Sequence, residues 1–110
     1  MGQFVKGDVV VVPFPFSDLT MSKRRPALVL ANLAGDDLIL CQITSQSIRD
    51  SYAIELLDGD FASGTLHKPS NVRPNRLFTA DRHIVLYKSG HLRNEKISAV
   101  IDALIGILKK

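Results

Sequence analysis

The sequence predicts a mainly β fold, in which a small curled antiparallel sheet packs against one C-terminal α-helix. Short β-branched or alternating segments recur along most of the chain, with Gly, Pro and Asp turns between them. One apolar stripe at helical spacing follows at the C-terminal end. We expect a single domain over residues 1–110, because half of this length is too short to bury a core of its own.

The first two strands are predicted from β-branched and apolar runs. Asp8 to Val12 contains four consecutive valines, whose stiff side chains pack well on a pleated surface. Pro13 to Phe16 should end this strand, because proline lacks an amide donor. We expect the aromatic residues there to lie along the rim of the sheet. Ser17 to Lys23 is predicted as a loop, and the second strand as Ala27 to Ala31.

A hairpin should join the second strand to a third one. Residues 32–37 form the turn, and Leu38 to Ser45 form the strand. Alternation along this strand places three apolar side chains on one face, at Ile39, Cys41 and Ile43. Thr44 should therefore point to the opposite face together with Gln42, as the hydroxyl of a functional site would.

The middle of the chain gives weaker signals. Three further strands are predicted, at Tyr52–Leu57, Asn71–Leu77 and His83–Tyr87. Pro74 should make the second of these an edge strand or a bent one. Residues 61–69 show little periodicity and are predicted to be irregular. Lys88 to Gly90 is expected to end the last strand.

The terminal helix has the clearest pattern. Its apolar residues follow the i, i+3, i+4 spacing, at Ile97, Val100, Ile101, Leu104, Ile105 and Leu108. Asn94 is the predicted N-cap, and Lys109 and Lys110 suit the negative end of the helix dipole. We expect the stripe to pack on the sheet, and Gly106 to lie where another backbone comes close.

Composition excludes several classes of protein. No apolar run approaches the roughly 20 residues that cross a bilayer, and the first residues lack the apolar region of a secretory signal. The single cysteine, Cys41, excludes an internal disulfide and a zinc site with several thiolates. We therefore expect a cytoplasmic protein with no membrane association. Cys41 itself is most simply a small buried hydrophobic residue.

The net charge of +3 is a mild excess, but the cations are clustered. Lys23, Arg24 and Arg25 are consecutive, and a second basic region contains Lys68, Arg73, Arg76 and Arg82. A basic face attracts polyanions such as nucleic acid. Charge alone also fits a solvated loop, and we leave these two interpretations open at this point.

The first part of the chain resembles a known family. Its opening reads GDVVVVPFPFSDLTMSKRRPALVLA. This is similar to the opening of the MazF/PemK family of toxin endoribonucleases, where an apolar strand and a polar loop precede Arg-Arg-Pro-Ala-Leu-Val-Leu. The resemblance implies a small SH3-like barrel of short antiparallel strands with a C-terminal α-helix. It also implies a homodimer and a cognate antitoxin, which should be acidic and partly disordered.

The resemblance implies a catalytic pair. Arg25 matches the catalytic arginine that precedes Pro-Ala-Leu-Val-Leu, and Thr44 matches the threonine of the family's Ile-Thr-Ser segment. A preorganised cation lowers the barrier to phosphodiester cleavage, because charge develops on the phosphate oxygens in the transition state. Without the resemblance, Arg25 would more simply be a rim arginine and Thr44 a residue chosen for β propensity.

Other residues are expected to contact RNA. Lys23 and Arg24 would hold the RNA backbone, and Arg73 and Arg76 would contact the RNA on either side of the cleaved phosphate. Ser45 would assist Thr44 at the phosphate or cap the end of the strand. Ser70 and Thr79 match the family's region before the last strand. The chain departs from the best-known members where it has Arg-Leu-Phe-Thr, residues 76–79, in place of Gln-Ile-Arg-Thr. The chain therefore lacks the Gln and Arg of that segment, which affects the contacts with RNA bases and so the cleavage sequence.

Histidine chemistry offers an alternative. Two histidines can act as acid and base on RNA, and the chain has His67, His83 and His91. None lies in a recognisable motif or at metal-ligand spacing, so we expect them to be surface residues. A general-base role for Asp8 is also less expected than a turn at the end of the strand. We predict no metal and no organic cofactor.

The sequence thus predicts a metal-independent endoribonuclease that cuts single-stranded mRNA and is the toxin of a type II toxin–antitoxin pair. Attack by the 2′-hydroxyl would leave a 2′,3′-cyclic phosphate and a 5′-hydroxyl. Two alternatives remain within the same fold. One is a toxin that poisons DNA gyrase through protein contacts, and the other is an inactive RNA-binding module.

Overall fold

The computed structural model describes residues 3–14, 23–45 and 49–110. It contains seven strands, which are β1 Asp8–Phe14, β2 Lys23–Asn32, β3 Asp37–Thr44, β4 Ile54–Leu56, β5 Phe61–Gly64, β6 Ser70–Asp81 and β7 Tyr87–Leu92. A C-terminal helix, α1, spans Asn94–Leu108. The strands form one antiparallel sheet in the order β4-β6-β3-β2-β1-β7-β5. The predicted mainly β class with a terminal helix is confirmed.

The central strands are buried on both faces, which is why they read as nearly continuous apolar runs. Two separate apolar clusters result. The first contains Val9, Leu28, Leu30, Cys41, Ile43, Leu56, Phe61, Val72, Leu92 and Val100. The second contains Val10, Val12, Ala27, Val29, Leu38 and Leu40. The predicted alternation in β3 is confirmed, since Cys41 and Ile43 lie in the first cluster and Ile39 packs against it.

The helix covers the first cluster. Ile97, Ile101 and Leu104 pack against it, and Val100 is fully buried. The C-terminal end of the predicted stripe does not follow, because Leu108 remains 68% exposed and Ile105 is also exposed. Most of the stripe therefore packs as predicted, while the last helical turn extends past the cluster.

Two details of the helix differ from the prediction. The N-cap is Arg93, with extended backbone angles, and Asn94 is already helical. No side chain forms a capping hydrogen bond at this end of the helix. A methyl group added at Gly106 would meet nothing within 4 Å, so the expected close backbone approach is wrong.

Strand β6 is longer than predicted and is bent at its proline. Cys41 pairs with Leu77, but Gln42 pairs with Arg73, so residues 74–76 bulge from the ladder. Pro74 lies in this bulge, where its missing amide interrupts no pairing. The predicted bend is confirmed, while the predicted end at Leu77 is wrong, because pairing with β3 continues to Asp81.

The C-terminal strand was misplaced by the sequence prediction. Residues 82–84 form a 3₁₀ turn, and β7 runs from Tyr87 to Leu92 through the segment expected to end it. Gly90 belongs in this strand because a side chain there would lie 2.5 Å from the carbonyl oxygen of Ser63. The partner, β5 Phe61–Gly64, lies in the segment predicted to be irregular.

The start of β2 also differs from the prediction. The strand begins at Lys23, and Arg24 and Arg25 pair with Pro13 and Val12 of β1. Strand β1 thus continues through Pro13, which is tolerated because its pairing with β7 has already ended at Val11. The rest of the predicted loop, residues 17–22, and the aromatic side chains of the predicted rim lie outside the described residues.

Within the portions of the chain that the structure describes, no helix is both long and apolar enough to cross a membrane.

The close pairing of β5 with β7 predicts a large effect of a methyl group at Gly64. This glycine has φ +72, and an added Cβ would lie 2.2 Å from the carbonyl oxygen of Ser89. We expect Gly64→Ala to lower the free energy of unfolding by about 2–4 kcal/mol, from left-handed strain plus overpacking.

Gly35→Ala is the matched control. Gly35 has φ +81, but a Cβ there meets nothing within 4 Å. Only the strain should remain, at about 1–2 kcal/mol. Urea denaturation with an unchanged m-value measures both variants. Equal losses in the two variants would contradict the close approach of the backbones.

Candidate functional site

A cavity of about 610 Å³ opens where several strand ends meet. Its walls come from the N-terminal end of β2, the C-terminal end of β3, the first residues of β7 and the segment 64–70 between β5 and β6. The described residues that line it are Val11, Arg24, Arg25, Pro26, Ile43, Thr44, Ser45, Gly64, Thr65, Leu66, His67, Lys68, Ser70, Tyr87, Lys88 and Ser89. Strand ends suit a site because the sheet holds their side chains rigidly at a solvent-accessible edge.

The register of β2 with β3 brings the predicted catalytic pair together. The ladder between β2 and β3 ends at the pair Ala27 and Gln42, and Arg25 and Thr44 each lie two residues beyond this pair on their own strands. Residues two apart along a strand point to the same face, so both side chains share the face of Ala27 and Gln42. Both residues line the cavity. The structure therefore places the guanidinium and the hydroxyl-bearing side chain in one cleft.

Arg25 is held differently from its neighbour Arg24. Arg24 is exposed, whereas Arg25 is half-buried and its Nε atom is fully buried. This Nε has no hydrogen-bond partner among the described residues. A buried donor without a partner is destabilising unless another group, such as a ligand oxygen, binds it. The guanidinium is thus a preformed donor for an anion.

The electrostatics of the cavity are one-sided. Four of the described lining residues carry a cationic side chain, and these are Arg24, Arg25, Lys68 and Lys88. No described lining residue carries a carboxylate. Hydroxyl groups line the remaining polar surface, on Thr44, Ser45, Thr65, Ser70, Tyr87 and Ser89. Cations and hydroxyl donors without competing acids are the groups that bind phosphate oxygens.

Lys88 is positioned by a buried acid. The carboxylate of Asp8 is 1% exposed, and its Oδ1 lies 3.3 Å from the Nζ of Lys88 and 2.7 Å from the Nδ1 of His91. The amide of Val5 donates to the other oxygen of Asp8 at 2.9 Å. Asp8 therefore closes the turn before β1, as predicted, and holds an amino group at the cavity.

The segment 64–70 is tied to β7 and to the turn before β5. The amide of Thr65 donates to the Ser89 carbonyl at 3.3 Å, and the Ser89 hydroxyl donates to the Thr65 carbonyl at 2.8 Å. The Thr65 hydroxyl donates to Asp58 and accepts from the amide of His67 at 2.9 Å. His67 has φ 65, a left-handed conformation that is uncommon outside glycine.

The two predicted serines both line the cavity. Ser45 is exposed at the end of β3. Ser70 is buried, and its hydroxyl donates to the carbonyl of Lys68 at 3.2 Å, which helps to fold the segment before β6.

Four predicted RNA contacts do not line the cavity. Lys23 lies at the exposed start of β2, and Thr79 pairs with Ile39 in the part of the sheet beyond the bulge. The Nε of Arg73 donates to Asp50 at 3.0 Å, and that of Arg76 donates to Gln42 at 3.3 Å. Of the second basic region, only Lys68 lines the cavity, whereas Arg73 and Arg76 bind side chains elsewhere on the sheet.

Sequence reasoning missed Lys88 and Thr65 as site residues, set His67 aside as a surface residue, and noted Lys68 only for its charge. Each of these lies in a segment whose local pattern resembles a turn or loop. They reach the cavity through the pairing of β5 with β7, which no local pattern indicates.

Two other places in the molecule carry side chains that could do chemistry, an exposed cluster around Asp81 and the thiol of Cys41. Three exposed side chains lie close enough to share a cation, and these are Asp36, Asp81 and His83. Their groups already bind one another or a neighbour, because the amide and Nδ1 of His83 are bound to Asp81 and the guanidinium of Arg82 is bound to Asp36. The pKa of Asp81 is lowered, chiefly by the amide of His83. Cys41 is buried as predicted, and burial raises the pKa of its thiol to about 12, which disfavours the nucleophilic thiolate.

Comparison with known proteins gives a family match. Residues 5–108 match the model of PemK-like, MazF-like toxins of type II toxin–antitoxin systems. No curated protein matches the chain in sequence.

Similar solved structures share the fold at low identity. A MazF in a MazE–MazF complex from Deinococcus radiodurans has a TM-score of 0.76 and 20% identity, covering 96% of each chain. An endoribonuclease in complex with its cognate antitoxin, from a mycobacterial species, has a TM-score of 0.75 and 14% identity, covering 97% of this chain and 96% of that one. The Mycobacterium tuberculosis toxin MazF-mt6 has a TM-score of 0.71 and 17% identity, covering 93% and 96%.

The ion pair between Asp50 and Arg73 predicts a pH-dependent loss of stability. The pKa of Asp50 is lowered by the amide of Tyr52 first, and also by the Arg73 guanidinium. A carboxylate with a lowered folded pKa stabilises the protein above its unfolded pKa of about 3.9, and this stabilisation is lost as pH falls through the folded pKa. Asp50→Ala should cost about 1–3 kcal/mol at about pH 7.

Urea denaturation at about pH 7 and about pH 3 measures this effect, and the cost of Asp50→Ala should shrink at the lower pH. Asp102→Ala, which removes an exposed helix carboxylate, is the control and should change stability little at either pH. A cost for Asp50→Ala that is the same at both values would contradict the stabilising role of the ionised carboxylate.

Proposed function

Because the chain belongs to the family of PemK-like, MazF-like toxins of type II toxin–antitoxin systems, we propose that it is an endoribonuclease that cuts single-stranded mRNA. The observation that carries this proposal is the cavity that both Arg25 and Thr44 line, among cations and without a described carboxylate. The solved structures with this fold include proteins described as endoribonucleases, which supports the same activity here.

The reaction that fits these groups needs no metal. The 2′-hydroxyl of a ribose attacks the adjacent phosphorus, and negative charge builds on the non-bridging oxygens. Arg25 binds these oxygens, and its buried Nε gains the acceptor it lacks within the described protein. Thr44 contacts the same phosphate through its hydroxyl, which can donate or accept. The products are a 2′,3′-cyclic phosphate and a 5′-hydroxyl.

The remaining cations bind the RNA backbone. Arg24, Lys68 and Lys88 line the cavity and contact the phosphates next to the scissile one, while Ser45 and Ser70 shape its floor. Such contacts supply affinity without sequence information. Four of the predicted RNA contacts lie outside the cavity, at Lys23, Arg73, Arg76 and Thr79. They contact the RNA only where the RNA extends beyond the cavity.

A cognate antitoxin and a second copy of the chain are the proposed protein partners. An acidic, partly disordered antitoxin segment would occupy the basic cavity and exclude RNA. The homodimer is supported by large apolar side chains that are exposed in the single chain, which include Leu77, Ile84 and Leu86. Single-stranded mRNA as substrate places the activity in the cytoplasm.

Cleavage of RNA in the presence of EDTA tests the proposed chemistry. The purified protein should cut a single-stranded RNA and leave 2′,3′-cyclic phosphate ends, detected by mass spectrometry. Arg25→Ala should lower kcat/KM by about 100-fold or more, because one preorganised donor to the developing charge is lost. Arg25→Lys should recover only part of the rate, since lysine lacks the planar pair of donors.

Lys109→Ala removes one positive charge from an exposed helix end that does not line the cavity, and it should cleave like the wild type. RNA left intact in EDTA and cut after metal is added would reject the mechanism. Absence of any cleavage, with arrest of DNA gyrase in a supercoiling assay, would instead favour a protein-directed toxin. Equal RNA binding by wild type and Arg25→Ala without cleavage would favour an inactive binding module.

A further inference from the structure

The proposed catalytic pair leaves one requirement of the reaction unmet. When the bond from phosphorus to the 5′ oxygen breaks, the departing oxygen is a strong base and needs a proton. The guanidinium of Arg25 does not supply this proton, because arginine side chains are not deprotonated in proteins. A threonine hydroxyl is also a poor acid. Groups that donate protons in such reactions titrate near neutral pH, and histidine is the commonest of them.

Among the three histidines, one lines the cavity. His83 lies outside it, and its Nδ1 is bound to Asp81 at 2.7 Å. His91 is also outside it, with its Nδ1 bound to Asp8 at 2.7 Å. His67 lines the same cavity as Arg25 and Thr44, and its side chain is exposed.

The backbone at His67 is held in an unusual conformation by its neighbours. Its φ of 65 is the one positive value outside glycine among the residues that the structure describes. The amide of His67 donates to the Thr65 hydroxyl, which in turn donates to Asp58. Thr65 is fastened to Ser89 through two hydrogen bonds. Strained residues held by surrounding structure cluster at functional sites, where the conformation orients a side chain.

We propose that His67 is the general acid of the cleavage reaction, a role that rests on the endoribonuclease function proposed above. The 2′ oxygen forms a bond to phosphorus and releases its proton to solvent water. The bond from phosphorus to the 5′ oxygen breaks, and the His67 imidazolium gives its proton to that oxygen. The neutral imidazole then takes up a proton from solvent, so that protons balance over the turnover.

His67→Asn is the variant that best tests the general-acid role. Asparagine is several-fold enriched in the left-handed region, so it keeps the backbone conformation while removing the acid. We expect cleavage of ordinary RNA to fall by about 100-fold. The wild-type rate should fall as pH rises and the imidazolium is lost, and this limb should be missing in the variant. His83→Asn, which changes a histidine outside the cavity, is the matched control.

A substrate with sulfur in place of the bridging 5′ oxygen separates a proton donor from a structural residue. A thiolate leaves without being protonated, so the wild type and His67→Asn should cleave this oligonucleotide at similar rates. Equal losses on the oxygen and sulfur substrates would overturn the general-acid role. Wild-type activity retained by His67→Asn on ordinary RNA would also overturn it, while leaving the proposed nuclease function intact.

Failure of the proposed function has a different outcome. If the wild type cleaves neither substrate, the endoribonuclease proposal is rejected, and the role of His67 is rejected with it. Circular dichroism and urea denaturation of each variant show whether it is folded, and His67→Ala gives a second measurement without the amide side chain. A loss shared by His67→Asn and His67→Ala on the oxygen substrate alone supports the proposal.

Discussion

The register of β2 between β1 and β3 is the constraint on which the site depends. In this register Ala27 stands opposite Gln42 and Val12 opposite Arg25. A slip by one residue would turn every side chain of β2 to the other face, because strand side chains alternate. Such a slip would move the apolar residues of β2 into the opposite cluster and disturb the packing of both clusters at once. The same packing that stabilises the sheet therefore fixes the position of Arg25 relative to Thr44.

The cavity lies where the buried apolar part of strands β1 and β2 ends. Val12 and Ala27 are fully buried, whereas Arg24, three residues nearer the start of β2, is exposed. The transition leaves the aliphatic part of Arg25 half-buried and its Nε out of contact with water. Desolvation strengthens the interaction of such a donor with an incoming anion. The position of Arg25 at the boundary between core and solvent thus makes its guanidinium a stronger anion-binding group than an exposed arginine.

Groups from distant parts of the chain complete the site. Asp8 is the first residue of β1, and its buried carboxylate holds Lys88 of β7 at the cavity. Ser89 binds both backbone groups of Thr65 and so fixes the segment that carries His67. The positive charge at the cavity is therefore supported by contacts between β1, β7 and the segment before β6.

The sequence by itself determined the mainly β class, the helix and the two faces of β3, which follow from side-chain periodicity among a few neighbouring residues. The prediction of Arg25 and Thr44 as a catalytic pair rests instead on the resemblance of their local segments to the MazF/PemK family. Only the tertiary structure decided that Lys88 and His67 lie in the cavity, and that Arg73 does not. These placements depend on the bulge in β6 and the pairing of β5 with β7. Such pairings are set by packing between residues far apart in the chain, which no local pattern records.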